Sequence, residues 1–214
     1  NNYKKANLVN YFGAKNLIDS ILKYKKNLKW FFFASTSHVY SYPKNNINIK
    51  ENYKKIPISK YGKTKLKAEK YIEKKLKKNI PYCIGRIFSF THLTQKKPFL
   101  IPSIFKKIKK NKKKTILFNN LNHYRDFIST RDISLIIKKL WVLKSKGIFN
   151  LATGKRTNLQ NIPIKISKIL NKKIEFKFVN TYKTSFLIAN INKLKKIGWT
   201  PKDNFLDILK SFKN

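Results

Sequence analysis

Three short, mostly apolar runs constrain the fold of this chain more than any other feature. They are Lys29–Ala34 (KWFFFA), Pro81–Phe88 (PYCIGRIF) and Gly147–Ala152 (GIFNLA). Each is short for a helix, and its apolar residues do not alternate with polar ones. Strands of that kind are covered on both faces, as in parallel sheets. Parallel strands need long crossovers, and the intervening segments have helical spacing. Ala6–Tyr24 carries Leu8, Val9, Phe12, Leu17, Ile18, Ile21 and Leu22; Ser59–Lys78 carries Leu66, Ala68, Tyr71, Ile72 and Leu76. Further helices are predicted around Ile101–Lys110, Asp132–Leu143 and Asn158–Leu170, the last despite Pro163. Short ones follow at Asn192–Ile197 and Phe205–Phe212. Strands are predicted at Thr115–Phe118, Arg125–Ser129 and Lys173–Val179. The alternation predicts an α/β protein with a mainly parallel sheet.

Composition narrows the classes. With 42% apolar and 14% aromatic residues in 214, the chain has material for a core and is not read as disordered. No apolar run approaches the roughly 18–20 residues of a membrane span, and no secretory leader is visible at the start. The one cysteine, Cys83, rules out an internal disulfide framework and fits a reducing cytoplasm. The net charge of +41 first suggests nucleic acid or an anionic membrane surface. Its make-up argues otherwise. Only Arg86, Arg125, Arg131 and Arg156 are arginines, the side chain suited to bidentate phosphate and base recognition; the other 46 basic residues are lysines spread along the chain. The densest run, Phe105–Thr115 (FKKIKKNKKKT), reads as a solvated helix end, a basic patch being the alternative. Methionine is absent and the chain opens on Asn1, so it reads as a piece of a longer protein, a processed N-terminus being the alternative.

The chemistry gathers after the first apolar run. KWFFFA leads into Ser35-Thr36-Ser37-His38-Val39-Tyr40, placing hydroxyls where parallel sheets bind ligands. Tyr61-Gly62-Lys63-Thr64-Lys65 follows on a predicted helix, where Tyr61 and Lys65 share a face. An ammonium beside a phenol is expected to lower its pKa and make Tyr61 a general acid or base. The Tyr-x-x-x-Lys pattern alone says little. Chance supplies about two in a chain this rich in lysine, and there are four: Tyr11/Lys15, Tyr40/Lys44, Tyr61/Lys65 and Tyr71/Lys75. Only Tyr61/Lys65 opens a helix after a strand ending in hydroxyls. His92 and His123 have no partners at metal-ligand spacing, so no metal site is expected.

In order along the chain, these motifs resemble the extended short-chain dehydrogenase/reductase family, the NAD-dependent epimerase/dehydratases of nucleotide sugars. Ser35–Tyr40 is similar to its S-[ST]-x-x-V-Y-G strand end, with Ser41 in place of glycine, and Tyr61–Lys65 to its Y-G-x-[ST]-K helix, followed by Glu69. Asn10 to Leu17 resembles N-x-x-G-x-x-N-L. Arg86–Ser89 resembles R-x-F-N, with serine for asparagine, and Arg125–Ile128 resembles R-D-[FY]-[IV]. Asn150 with Gly154 and Leu194–Pro201 complete the series. The family's opening G-x-x-G-x-x-G turn has no counterpart among the six glycines.

The resemblance implies the C-terminal part of a Rossmann-type parallel sheet with a smaller mixed α/β substrate-binding region. Residues 1–90 would be the second half of the NAD(P)-binding domain. Residues 91–214 would mainly bind substrate, with 124–152 returning to the sheet. It implies Thr36, Tyr61 and Lys65 as catalytic residues, with Asn10, Ser35, Tyr61, Lys65 and Phe88 at NAD or NADP. It places Ser37, His38, Ser89 and Arg125 at a nucleotide-diphosphate sugar, Arg125 on the diphosphate. Arg86 and Arg131 are lesser candidates for such a clamp. Proton and hydride transfer at a sugar carbon, C4, is implied, in a cytoplasmic homodimer. The segments Phe99–Ile108 and Arg125–Ile133 look most like the GDP-deoxyhexose reductase and GDP-mannose dehydratase branch. A UDP- or dTDP-sugar 4-epimerase is the alternative within the family. A noncatalytic remnant or basic nucleic-acid-binding module is the alternative outside it.

Overall fold

The computed structural model describes residues 2–24, 28–77 and 80–213. It is a mixed α/β structure in which every strand pair but one is parallel. The N-terminal helical segment consists of α1 (Asn2–Asn7), a π-turn (Leu8–Phe12) and α2 (Gly13–Lys23). Its apolar positions do not all face inward: Ile18 is fully buried, while Leu8, Val9, Phe12 and Leu17 are exposed.

The first apolar run forms β1 (Phe31–Thr36). The strand starts later than expected and takes Ser35 and Thr36 into the sheet, because pairing with β2 (Tyr82–Ile87) continues as far as Thr36 opposite Ile87. The Phe31, Phe32 and Phe33 side chains are half-buried rather than full core. Between these strands lies α3 (Lys60–Leu76), shorter than expected; Lys78 falls outside the described residues. Cys83 of β2 is buried, which pushes its thiol pKa up to about 12.

Four short elements follow: β3 (Ser89–Thr91), α4 (Leu100–Lys110), β4 (Thr115–Asn119) and β5 (Tyr124–Arg125). After them come β6 (Phe127–Ser129), α5 (Thr130–Val142) and β7 (Gly147–Leu151). The single strand expected over Arg125–Ser129 is therefore split at Asp126. The buried Asp126 carboxylate accepts from the Thr153 N–H and hydroxyl and from the Gly154 and Ala189 N–H groups. A carboxylate that gathers so many donors fixes its own backbone, and the residues on either side join different sheets. β6 pairs with β3, while β7 alone of residues 124–152 joins the β1-β2-β7 sheet.

The C-terminal elements are β8 (Thr157–Asn158), α6 (Asn161–Ile169), β9 (Glu175–Val179), β10 (Phe186–Leu187), α7 (Asn192–Lys196) and α8 (Phe205–Lys210). Pro163 is tolerated because it lies in the first turn of α6, where its missing N–H has no helical acceptor. One core cluster lies around β2, β7 and α5. A second joins α4, α6 and α8 to the β4–β9 pair. The lysines of FKKIKKNKKKT are exposed, as expected of a solvated helix end. No helix among the described residues is long and apolar enough to cross a membrane.

Candidate active site

The site forms where β1 ends. Thr36 remains extended, and its Oγ1 accepts the His38 N–H at 3.3 Å, opening a single 3-10 turn, Ser37–Val39. The chain then loops out and returns at α3. Ser59 caps that helix, its Oγ accepting the Gly62 N–H at 3.0 Å. Glycine at position 62 is dictated by contact, since a Cβ there would lie 2.2 Å from the His38 carbonyl oxygen. This close approach sets the first turn of α3 directly on the turn that follows β1. The His38 and Tyr61 rings meet edge to face with centroids 6.4 Å apart.

One helical turn after Tyr61, the Lys65 ammonium donates to the Ala34 carbonyl at 3.0 Å. It lies 4.7 Å from the Phe33 ring centroid and 5.9 Å from that of Tyr61. Thr36, Tyr61 and Lys65 thus gather at the C-terminal edge of β1. Burial pushes the Lys65 pKa down, against the attraction of the Glu69 carboxylate. Burial pushes the Tyr61 phenol up. This corrects the expectation of a lowered phenol pKa. Lys65 is turned to Ala34, and desolvation of the phenolate causes the shift.

A buried polar network supports this edge. Arg86, fully buried on β2, donates to both Glu69 carboxylate oxygens at 3.1 and 2.7 Å. It also donates to the Tyr40 hydroxyl at 2.9 Å and the Glu51 carbonyl at 2.8 Å. Tyr40 passes its own hydrogen to Asn150 Oδ1 at 2.6 Å. Burial opposes the Arg86 charge, but its hydrogen bonds and charge interactions with Glu69 and Tyr40 together more than offset this and raise its pKa. Arg86 is thus removed from the candidate anion clamps. The network also takes up the side chains of two residues expected at the cofactor. The Ser35 hydroxyl, 3% exposed, donates to Glu69. Phe88, also 3% exposed, packs within the core beside Tyr40. Both side chains are turned to the interior, Ser35 toward Glu69 on α3 and Phe88 toward Tyr40.

The remaining candidates are placed as follows. Asn10, in the π-turn, donates to Thr64 Oγ1 at 3.0 Å and ties the N-terminal helical segment to α3. Ser37 is buried in the 3-10 turn, and Ser89 opens β3 opposite Phe127. His38, exposed at one edge, has Nδ1 3.1 Å from Ser59 Oγ, and partial desolvation of the ring and the Arg125 charge depress its pKa. Arg125 donates to the Tyr124 and Ser185 carbonyls at 2.8 and 3.0 Å, to Ser185 Oγ at 3.0 Å and to the Tyr42 hydroxyl at 3.3 Å. It makes no pair with Asp126, whose carboxylate is taken by Thr153, Gly154 and Ala189. Arg131 lies elsewhere, in an exposed pair with Asp203 at 3.3 Å. Among the described residues no three His, Cys, Asp or Glu side chains group to hold a metal. Sequence reasoning missed the Glu69–Arg86 pair and the His38–Ser59 contact. The Ser-x-x-Gly spacing before Tyr-x-x-x-Lys signals the Ser59 cap but not its second partner.

Comparison with known proteins adds to this geometry. A family model described as GDP-mannose 4,6 dehydratase matches residues 4–212. A "Putative UDP-glucose 4-epimerase" from Methanocaldococcus jannaschii is 27% identical over 218 residues, which cover 96% of this chain and 68% of that protein. The structure of RMD from Pseudomonas aeruginosa, complexed with NADPH, superposes with a TM-score of 0.86 at 19% identity, covering 97% of this chain and 71% of its own. The dTDP-glucose 4,6-dehydratase of Bacillus anthracis, in complex with NAD, superposes with a TM-score of 0.83 at 22% identity, covering 95% and 66%. The two structural matches show a common Rossmann-type fold.

Proposed function

Because the chain belongs to the GDP-mannose 4,6-dehydratase family, whose relatives act on nucleotide sugars, we propose that it serves an NAD(P)-dependent oxidoreductase reaction at the C4 hydroxyl of a nucleotide-diphosphate sugar. The gathering of Thr36, Tyr61 and Lys65 at the end of β1 carries this reading. Tyr61 holds the proton to be exchanged with the sugar oxygen. The Thr36 hydroxyl polarises the same oxygen. The residues present fit the nicotinamide-ribose end of the cofactor. The Lys65 ammonium has one acceptor, the Ala34 carbonyl, and two hydrogens left for a ribose diol. When bound, NAD(P) supplies the hydride donor or acceptor. Arg125 serves the diphosphate by exchanging Tyr42 and Ser185 for phosphate oxygens, a geometry its planar fork accepts.

Ser37 and His38 stand where the dehydratase branch carries acidic residues for elimination, which favours reductase or epimerase chemistry over dehydration. The match to the Methanocaldococcus jannaschii protein favours a UDP-sugar 4-epimerase as the second reading. A homodimer through the N-terminal helical segment and α3 is supported by the exposed Leu8, Val9, Phe12 and Leu17. The decisive experiment is Tyr61→Phe in the full-length protein, assayed with nucleotide sugars and NAD(P). Removal of the proton donor is expected to lower kcat by about 10²–10⁴ with stability unchanged. Unaltered turnover sinks the catalytic assignment.

A further inference from the structure

Ser59 does two jobs with one oxygen. Its lone pair accepts the Gly62 N–H at 3.0 Å, and the same Oγ lies 3.1 Å from His38 Nδ1. A serine hydroxyl has one hydrogen to give. Among the described residues, Nδ1 is the acceptor within its hydrogen-bond reach. With that hydrogen on Nδ1, the cap and the imidazole contact are satisfied together. The opposite arrangement, Nδ1–H donating to Ser59, leaves the serine hydrogen without a protein acceptor.

Three further observations point the same way. His38 is held rigidly, since its carbonyl accepts the Ile58 N–H at 3.1 Å and touches the α3 backbone at Gly62. Its ring lies beside the N-terminus of a long helix, where an imidazolium is disfavoured and a neutral imidazole is retained. The charged and titratable groups facing it are Arg125, whose charge also opposes protonation, and Tyr61. We propose that Ser59 is a positioning residue that locks His38 as its Nε2–H tautomer, so that His38 presents a hydrogen-bond donor to the substrate beside Tyr61. A neutral imidazole in that role polarises an oxygen without bringing a full charge. Helix cap and donor orientation are then one device, and α3 cannot shift without turning His38. The role toward substrate rests on the function proposed above; the tautomer does not.

The test is ¹⁵N NMR of the histidine-labelled chain, which has three histidines, with His38 assigned through His38→Gln. The expected wild-type pattern is Nε2–H with a titration midpoint below 6.5. Ser59→Asp keeps an oxygen cap for Gly62 but offers Nδ1 an acceptor instead of a donor. It is expected to convert His38 to the Nδ1–H form and raise its midpoint above the wild-type value. Ser59→Thr keeps both functions and is expected to retain the wild-type pattern. A wild-type Nδ1–H tautomer, or a His38 signal unmoved in Ser59→Asp, overturns the proposal. The readout needs no turnover. Failure of the catalytic reading would instead appear as retained activity in Tyr61→Phe.

Discussion

The sheet region around β1, β2 and β7 and the second core around β4 and β9 are held by different physics. The second core is a cluster of Ile101, Ile104, Phe105, Ile108, Phe118, Ile162 and Ile166, with Phe105 stacked on Phe212 at 5.1 Å. Apolar packing is non-directional, and many side-chain sets of similar volume satisfy it. The sheet region adds a fully buried arginine, its carboxylate partner and the Tyr40–Asn150 bond, which join four separate parts of the chain. Such a network accepts one arrangement, because each donor must meet its acceptor. The candidate site sits on this directional region. Glu69, one turn beyond Lys65 on α3, ties that helix to Arg86 of β2 beneath the candidate site.

The contrast is broken most sharply at Glu69. Glu69→Ala leaves Arg86 buried without its counter-ion and is expected to destabilise the fold by about 3–5 kcal/mol, read from urea unfolding. The paired replacement Glu69→Leu with Arg86→Met is expected to lose far less stability while degrading the site. A single-variant loss below about 1 kcal/mol would show that the network does not organise the region. Next in size is Gly62→Ala. Its new Cβ meets the His38 carbonyl, which hydrogen bonding holds in place, so about 1–3 kcal/mol is expected from the same measurement. Loss of the His38–Tyr61 contact should accompany it. In the second core, Ile108→Val removes one methylene from a fully buried side chain and is expected to cost about 0.5–1.5 kcal/mol. A larger loss there would mean that this core is as exacting as the first.

Much of the fold was legible because its signals are local. KWFFFA, PYCIGRIF and GIFNLA became the three strands of the parallel sheet, in the order β1-β2-β7. Helical periodicity located α3, α4, α5 and α6 within a few residues. The split at Asp126 was illegible, since its donors Thr153, Gly154 and Ala189 are remote in sequence. The convergence of Thr36, Tyr61 and Lys65 was readable from order and spacing. The inward turn of Ser35 and Phe88 was not, because both types also line ligand sites.

The +41 charge shows the same division from another side. Its lysine-heavy make-up was visible in composition, and the exposure of the Phe105–Thr115 lysines agrees with a solvated surface. What the chain determined by itself was the alternation of elements, the Tyr-Gly-x-Thr-Lys helix after a hydroxyl-bearing strand, and the absence of any Gly-rich turn. Tertiary structure alone decided which of four arginines is a core ion, which hydroxyls face inward and which nitrogen of His38 meets Ser59. The physical reason is range. Hydrophobic periodicity acts between residues a few positions apart, whereas the partner of a buried polar group is chosen by chain segments that meet only when the protein folds.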